Sequence, residues 1–213
     1  PLCRFLAAER VFHELSGILL SPRPQYAVRA GQYGLLDHFL SHRPKTVFSR
    51  LDTLPAELPV RFAAFCSLLK AEGCITCCES FVRRLRASSE LIKLCSCLDR
   101  FLSSDPPASR SDIKRLMCLV GIPFARGLAA AWFSIGKGNL LPQIDNILSS
   151  GECFSADTLA LGGRDLLALG LSGRDVGRAI GLLLAHVSQH PEDNTRERLI
   201  ALLDTLTSAQ EKL

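Results

Sequence analysis

Nine cysteines, five histidines and nineteen arginines are the residues of this chain whose types could carry chemistry. Cys74 and Cys77 form a C-x-x-C, and Cys95 and Cys97 form a C-x-C after 17 intervening residues, close to the paired knuckles of a structural zinc site. Zinc knuckles sit on turns. Here Leu91, Leu94, Leu98, Phe101 and Leu102 repeat at three and four, which puts Cys95 and Cys97 on a helix. Cysteine at that spacing behaves as a small apolar residue, so the sequence assigns no metal ligand. The cysteines, at positions 3, 66, 74, 77, 78, 95, 97, 118 and 153, are odd in number. The opening PLCRFLAAERVFHEL carries Arg4, Glu9 and Arg10 inside its apolar pattern, unlike a signal peptide. Both observations read as reduced thiols in a cytoplasmic protein. His13, His38, His42, His186 and His190 assemble no His/Asp cluster of the kind a metal-dependent hydrolase needs.

Arginine supplies 19 of the 25 basic residues, and its planar fork suits phosphate and carboxylate. The arginine preference of high-GC genomes explains the same bias equally well. The sharpest local pattern lies near the C-terminus, where Arg164 to Leu169 reads as a short helix closed by Gly170. Ser172-Gly173-Arg174-Asp175 then opens a longer helix with Arg178 one turn in. Free N–H groups and the positive dipole end at such a start accept a phosphate, Arg174 and Arg178 add charge beside it, and Gly173 and Gly177 leave room for close approach. An N-cap followed by two solvated arginines fits the same residues, and local pattern does not separate the two readings.

The elements that would position these residues are helical nearly throughout. Phe5, Leu6, Val11, Phe12, Leu15, Ile18 and Leu19 form one apolar stripe ending before Ser21-Pro22-Arg23-Pro24. Further helices are expected from Gln25 to about Ala30, ending near Leu51, from Pro59 to Lys70, Glu79 to Leu85, Ser88 to Leu102, Ile113 to Val120 with Ser111 as N-cap, Phe124 to Ile135, and Leu140 to Leu148. The C-terminal helices are expected to end with one starting at Thr195. No segment has the period-2, β-branched pattern of a strand. The fold class expected is all-α, in consecutive small helical subdomains arranged in an elongated way. With 47% apolar and 22% charged residues and no apolar run of membrane length, neither a disordered chain nor a membrane protein fits. The net charge of +4 is too small to name a partner. The absence of an initiator Met at Pro1 reads as a piece of something longer.

Three stretches, in order, resemble the C-terminal part of bacterial CCA-adding tRNA nucleotidyltransferases of the class shared with bacterial poly(A) polymerase. The first is Ala8-Glu9-Arg10-Val11-Phe12-His13-Glu14-Leu15 with Gly34-Leu35-Leu36, similar to the family's neck pattern. The second is Arg61-Phe62-Ala63 with Phe81-Val82-Arg83-Arg84-Leu85-Arg86-Ala87-Ser88-Ser89-Glu90-Leu91-Ile92-Lys93, similar to the body pattern. The third is Gly162-Gly163-Arg164-Asp165-Leu166, then Gly173 to Gly177, then Asn194-Thr195-Arg196-Glu197, similar to the tail signature. Departures accompany the matches. The family's Gly-Gly-x-x-Arg-Asp, Asp-x-Asp and Glu-Asp-x-x-Arg motifs are absent, Ser88-Ser89-Glu90 stands where Ser-Asn-Lys is usual, and Phe65-Cys66-Ser67 stands where hydrolase-bearing relatives carry His-Asp.

The resemblance implies a neck remainder at 1–42, a body at 43–137 and a tRNA-binding tail at 138–213, without the catalytic head. It implies that the chain holds the elbow and acceptor stem of tRNA while a head domain of the full-length parent adds CTP and ATP with Mg2+; no cofactor is expected in this chain itself. It further implies Arg164, Gly173, Arg174, Gly177 and Arg178 as the tail's RNA-binding residues and Arg83, Arg84, Arg86 and Lys93 as a basic face on the body. Glu9 and Arg10 belong to the neck motif, and a homodimer joins tRNA and the head among the expected partners. The alternative from another class is a helical protein-interaction or dimerisation module without nucleic-acid binding.

Overall fold

Every residue from Val60 to Leu69 is buried. A helix tolerates that only at the centre of a packed core. The computed structural model, which describes residues 7–46 and 50–210, places this segment in just that setting. The expected Phe5, Leu6 and Cys3 lie outside the described residues. Eleven α-helices and no strand occur among those described: α1 (Ala8–Leu20), α2 (Tyr26–Gln32), α3 (Leu58–Ala71), α4 (Cys78–Arg84), α5 (Ser89–Phe101), α6 (Arg110–Val120), α7 (Ile122–Ser134), α8 (Leu141–Ser149), α9 (Gly163–Ala168), α10 (Arg174–Gln189) and α11 (Arg196–Gln210). The fold is all-α.

The chain separates into two compact units, one of residues 1–106 and 120–142, the other of 107–119 and 143–213. The residues expected as neck and body therefore lie together in the first unit, apart from 107–119. That segment joins 143–213 of the expected tail in the second, while 138–142 fall in the first.

In the first unit α3 packs along α7 at close range because small residues face one another there. A Cβ on Gly127 would stand 2.7 Å from Leu94 Cδ1 and 3.5 Å from Ala63 Cβ. Ser67 and Ser134 fasten the same pair, their hydroxyls 2.7 Å apart. Phe62, Phe65, Phe81 and Trp132 fill the remaining volume, with the Phe65 ring edge-on to Phe62 and tilted against Phe81. Across the opposite side of α3, Arg61 is only 5% exposed. Its guanidinium donates to the carbonyl oxygens of Leu19 (2.8 Å) and Ser21 (2.9 Å) at the end of α1, and twice to Leu54 (3.0 and 3.2 Å). These carbonyls have no further turn of helix to accept from, so the cation completes them and meets the negative end of the α1 dipole.

Side-chain caps open some of the helices. Ser88 Oγ accepts from Leu91 N to open α5. The start of α6 differs from expectation: Ser109, not Ser111, is the cap, because Ser109 Oγ accepts from Asp112 N (3.1 Å) and donates to the Asp112 carboxylate (2.6 Å). Ser and Asp three apart make this reciprocal arrangement, which Ser111 has no partner to match. The helix expected to end at about Ala30 runs on through Gly31, which is buried and has no room for a side chain, since Pro44 would stand 3.0 Å from a Cβ there.

The second unit has its own core, in which Leu161, Leu166, Leu183, Val187 and Leu199 are fully buried. Lys114 of α6 enters this unit at 2% exposure, and its ammonium lies 2.5 Å from the Glu152 carboxylate. Glu152 also accepts from Arg110 Nε and from Ser150 Oγ. Arg110 first, then Lys114 and Ser150, outweigh burial and hold the Glu152 carboxyl at about 2.

The buried cations make stability sensitive to their shape and to pH. Arg61→Ala strands three buried carbonyls and should destabilise the first unit by about 4 kcal/mol, while Arg61→Lys, with no fork, should recover less than about half of that by denaturant titration. An Arg61→Lys variant as stable as the parent would refute the fork's role. For Glu152 the folded value lies below its ordinary 4.5. Its stabilisation is thus complete above that value and is lost as pH falls through about 2. Glu152→Gln should cost about 2–3 kcal/mol at neutral pH and flatten the acid limb of the stability curve between those values.

Candidate nucleic-acid interface

The α9–α10 hairpin is built by glycines at both of its corners. The Asp165 carboxylate accepts from Gly162 N at 3.0 Å and so caps the start of α9. Gly170, at φ +92°, closes α9 and lets Leu171 N reach back to the Leu166 carbonyl at 3.1 Å. Gly173, at φ +54° and ψ −120°, precedes α10 in a conformation that a side chain would strain, and α10 has no side-chain cap. Val176 and Ile180 of α10 lie 3.7 and 3.9 Å from the position of a Cβ on Gly163, so the start of α9 seats against the first turns of α10.

Arg164, Arg174 and Arg178 project from this hairpin; all three are exposed, and none has an ion-pair or hydrogen-bond partner among the described residues. No protein atom lies within 4 Å of where a Cβ on Gly177 would be, one position before Arg178. Packing therefore does not require glycine there. Asp175, also exposed, contributes the one carboxylate in the first turn. The hairpin thus offers free N–H groups, three unpaired guanidinium groups and an open backbone strip. Asp165 is already engaged, since it accepts from Arg196 at the start of α11.

The cations of the first unit are held differently. Arg83 pairs with Glu79 one turn back on α4, at 2.7 Å. Arg84, expected on the basic face, is exposed but has its donors engaged: it donates to the Phe39 carbonyl at 3.1 Å and to the His38 carbonyl, and lies over the Phe39 ring. The reason is the same as for Arg61, a turn whose last carbonyls need donors. Arg86 follows α4 at φ +56°, the only described residue other than glycine with a positive φ, and pairs with Glu9 of α1. Its N–H and that of Ala87 bond back to Arg83 and Val82, which closes the helix in the manner usually left to glycine. The backbone N–H at the α1 start and then Arg86 hold the Glu9 carboxyl below its usual range. Glu9 is therefore bound to the body segment, and its neighbour Arg10 lines a groove between α1 and α2 instead. Lys93 is exposed on α5.

The thiols diverge. Cys74 Sγ lies 3.7 Å from His42 Nδ1, whereas Cys77 Sγ lies 3.1 Å from the Asp99 carboxylate. Burial raises the thiols of Cys66, Cys74, Cys77, Cys78 and Cys97 above their ordinary value, which keeps them protonated. Asp99, which no motif marks, proves to be a hub that accepts from Lys70 Nζ (2.5 Å), Cys78 N (3.0 Å) and Glu79 N (2.9 Å). Burial alone would raise its carboxyl, but Glu79 N–H, Lys70 and Cys78 N–H together hold it low.

One cluster that the sequence did not lead us to expect does form. His186 and His190, one turn apart at the end of α10, meet Glu192 and Asp193 of the following turn, with His186 Nε2 2.8 Å from the Asp193 carboxylate. The cluster's signal was the spacing His-x-x-x-His-x-Glu-Asp, which brings all four together only when the helix ends at Gln189 and the chain turns back at once.

No family model matches the chain, nor does any curated protein or solved structure. The contrast between engaged and free cations predicts different outcomes. Arg84→Ala should destabilise by about 1 kcal/mol, the part-buried Phe39 carbonyl having lost its donor, whereas Lys93→Ala and Arg174→Ala should stay within about 0.5 kcal/mol. Thermal unfolding of the three variants checks this, and an Arg84→Ala melt matching the parent would contradict the role of its carbonyl bonds.

Proposed function

We infer that this chain is an RNA-binding region that positions tRNA for a nucleotidyltransferase, as its resemblance to CCA-adding enzymes implies. The single observation that carries the reading is the second unit's α9–α10 hairpin. There Arg164, Arg174 and Arg178 are unpaired beside an uncapped helix start preceded by a glycine at positive φ. Buried or paired cations would not support it. Shape and phosphate recognition of A-form RNA needs this combination of arginines and helix starts more than base-reading groups. CTP and ATP addition with Mg2+ would belong to a head domain of the proposed parent, with this chain supplying orientation and no step of the chemistry. The cytoplasmic setting is part of the same proposal; no helix among the described residues is long and apolar enough to cross a membrane.

A second reading, a protein-interaction or dimerisation module, is favoured by a different observation. Val11, Leu15, Ile18, Ala30, Leu35 and Leu36 line an apolar groove of about 170 Å3 between α1 and α2. Tyr33 and Leu35 stand exposed nearby, at 77% and 50%.

A tRNA-binding titration of the 213-residue chain across a salt series tests the first reading. Affinity should fall steeply with salt, and Arg174→Ala with Arg178→Ala should reduce the slope of log K against log salt by about 2, roughly one unit for each phosphate no longer neutralised. Binding that ignores salt, or a slope unchanged in the double variant, would sink the assignment and leave the groove as the functional surface.

A further inference from the structure

We propose that His190, Glu192 and Asp193 form a binding site for a divalent transition-metal ion at the C-terminal end of α10. This inference is independent of the RNA-binding reading. Donor atoms of the three residues lie within 4.8 Å of one another. Metal–ligand distances of about 2.0–2.2 Å require donors roughly 3 Å apart, and the exposed side chains of His190 and Glu192 can close that gap by rotation. His190 Nδ1 and Glu192 Oε1 are already 3.6 Å apart.

The surroundings favour a cation. The site sits where the 16-residue α10 ends, so the negative pole of the helix dipole faces it. His186 lies one turn back, its ring 4.9 Å from that of His190. Through Nε2 it donates to the Asp193 carboxylate at 2.8 Å, the outer arrangement by which histidine and carboxylate orient one another around a metal. Arg198 works against the ion, since its Nη1 donates to Asp193 Oδ1 and to the Glu192 carbonyl. It occupies one carboxylate oxygen and competes with the metal for Asp193. An imidazole donor with two carboxylates selects Zn2+, Ni2+ or Co2+ over Mg2+ and Ca2+, whose ligands are all oxygen. The ion would clamp the end of α10 to the turn that leads into α11.

The test is a Ni2+ titration of the full 213-residue chain followed by NMR of the histidine imidazoles, where the paramagnetic ion broadens the nearest rings first. His186 and His190 should broaden at substoichiometric Ni2+ while His13 and His38 stay sharp. Glu192→Gln, at a side chain 66% exposed and therefore safe for folding, should weaken Zn2+ binding in calorimetry by at least about tenfold. His190→Ala should abolish the broadening at His186. Simultaneous broadening of all histidines, earliest broadening at His42 beside Cys74, or a Zn2+ affinity unchanged by Glu192→Gln would overturn the site.

Discussion

A buried guanidinium bonded to backbone carbonyls alone is the interaction on which the first unit turns. Among the described residues no carboxylate pairs with Arg61; four bonds to the oxygens of Leu19, Ser21 and Leu54 hold it at 5% exposure. Desolvating a cation is costly, and the offset comes from the helix end, where unpaired carbonyls carry roughly half a negative charge. The geometry fixes three things together: where α1 ends, where the chain enters α3, and how the two meet. At more exposed positions Arg84 bonds in the same way to the His38 and Phe39 carbonyls, and Lys137, beside Asp105, donates to Ser103 and Ser104 after the end of α5 at 3.3 and 3.0 Å.

This use of cations divides the arginines by role. Arg61 and Arg84 close turns, and Arg83 and Arg86 neutralise Glu79 and Glu9. In the second unit Arg110 shares Glu152 with the buried Lys114, and Arg196 holds Asp165. The three arginines of the α9–α10 hairpin do none of this. A guanidinium without an internal partner has its donors directed only at water, and a phosphate replaces that water with release of counterions. The net charge of +4 thus understates what is offered locally, because much of the positive charge elsewhere is matched within the fold.

Much of the architecture was legible because helical burial leaves a period in the sequence. The apolar stripes of α1 and α5 and the largely apolar run of α3 appear in the expected places. Boundaries moved where two chemistries competed. Ser109 displaced Ser111 because Asp112 could answer it, and α2 runs on through Gly31, where Pro44 leaves no room for a side chain. The basic run Arg83 to Arg86 looked uniform in sequence, yet its members have three different fates, since each points in its own direction from the end of α4.

Periodicity, turn residues and residue type by themselves determined that the chain is helical, where most of its helices stop, and that arginines cluster at the start of α10. Those are local properties, decided within a turn or two by backbone sterics and apolar spacing. Which cations remain free, that Asp99 gathers four donors, and that His186, His190, Glu192 and Asp193 converge were decided only by tertiary structure. The physical reason is that a charged side chain takes its role from whatever carbonyl or carboxylate the fold brings within about 3 Å of it, and for most of these cations that neighbour lies tens of residues away in sequence.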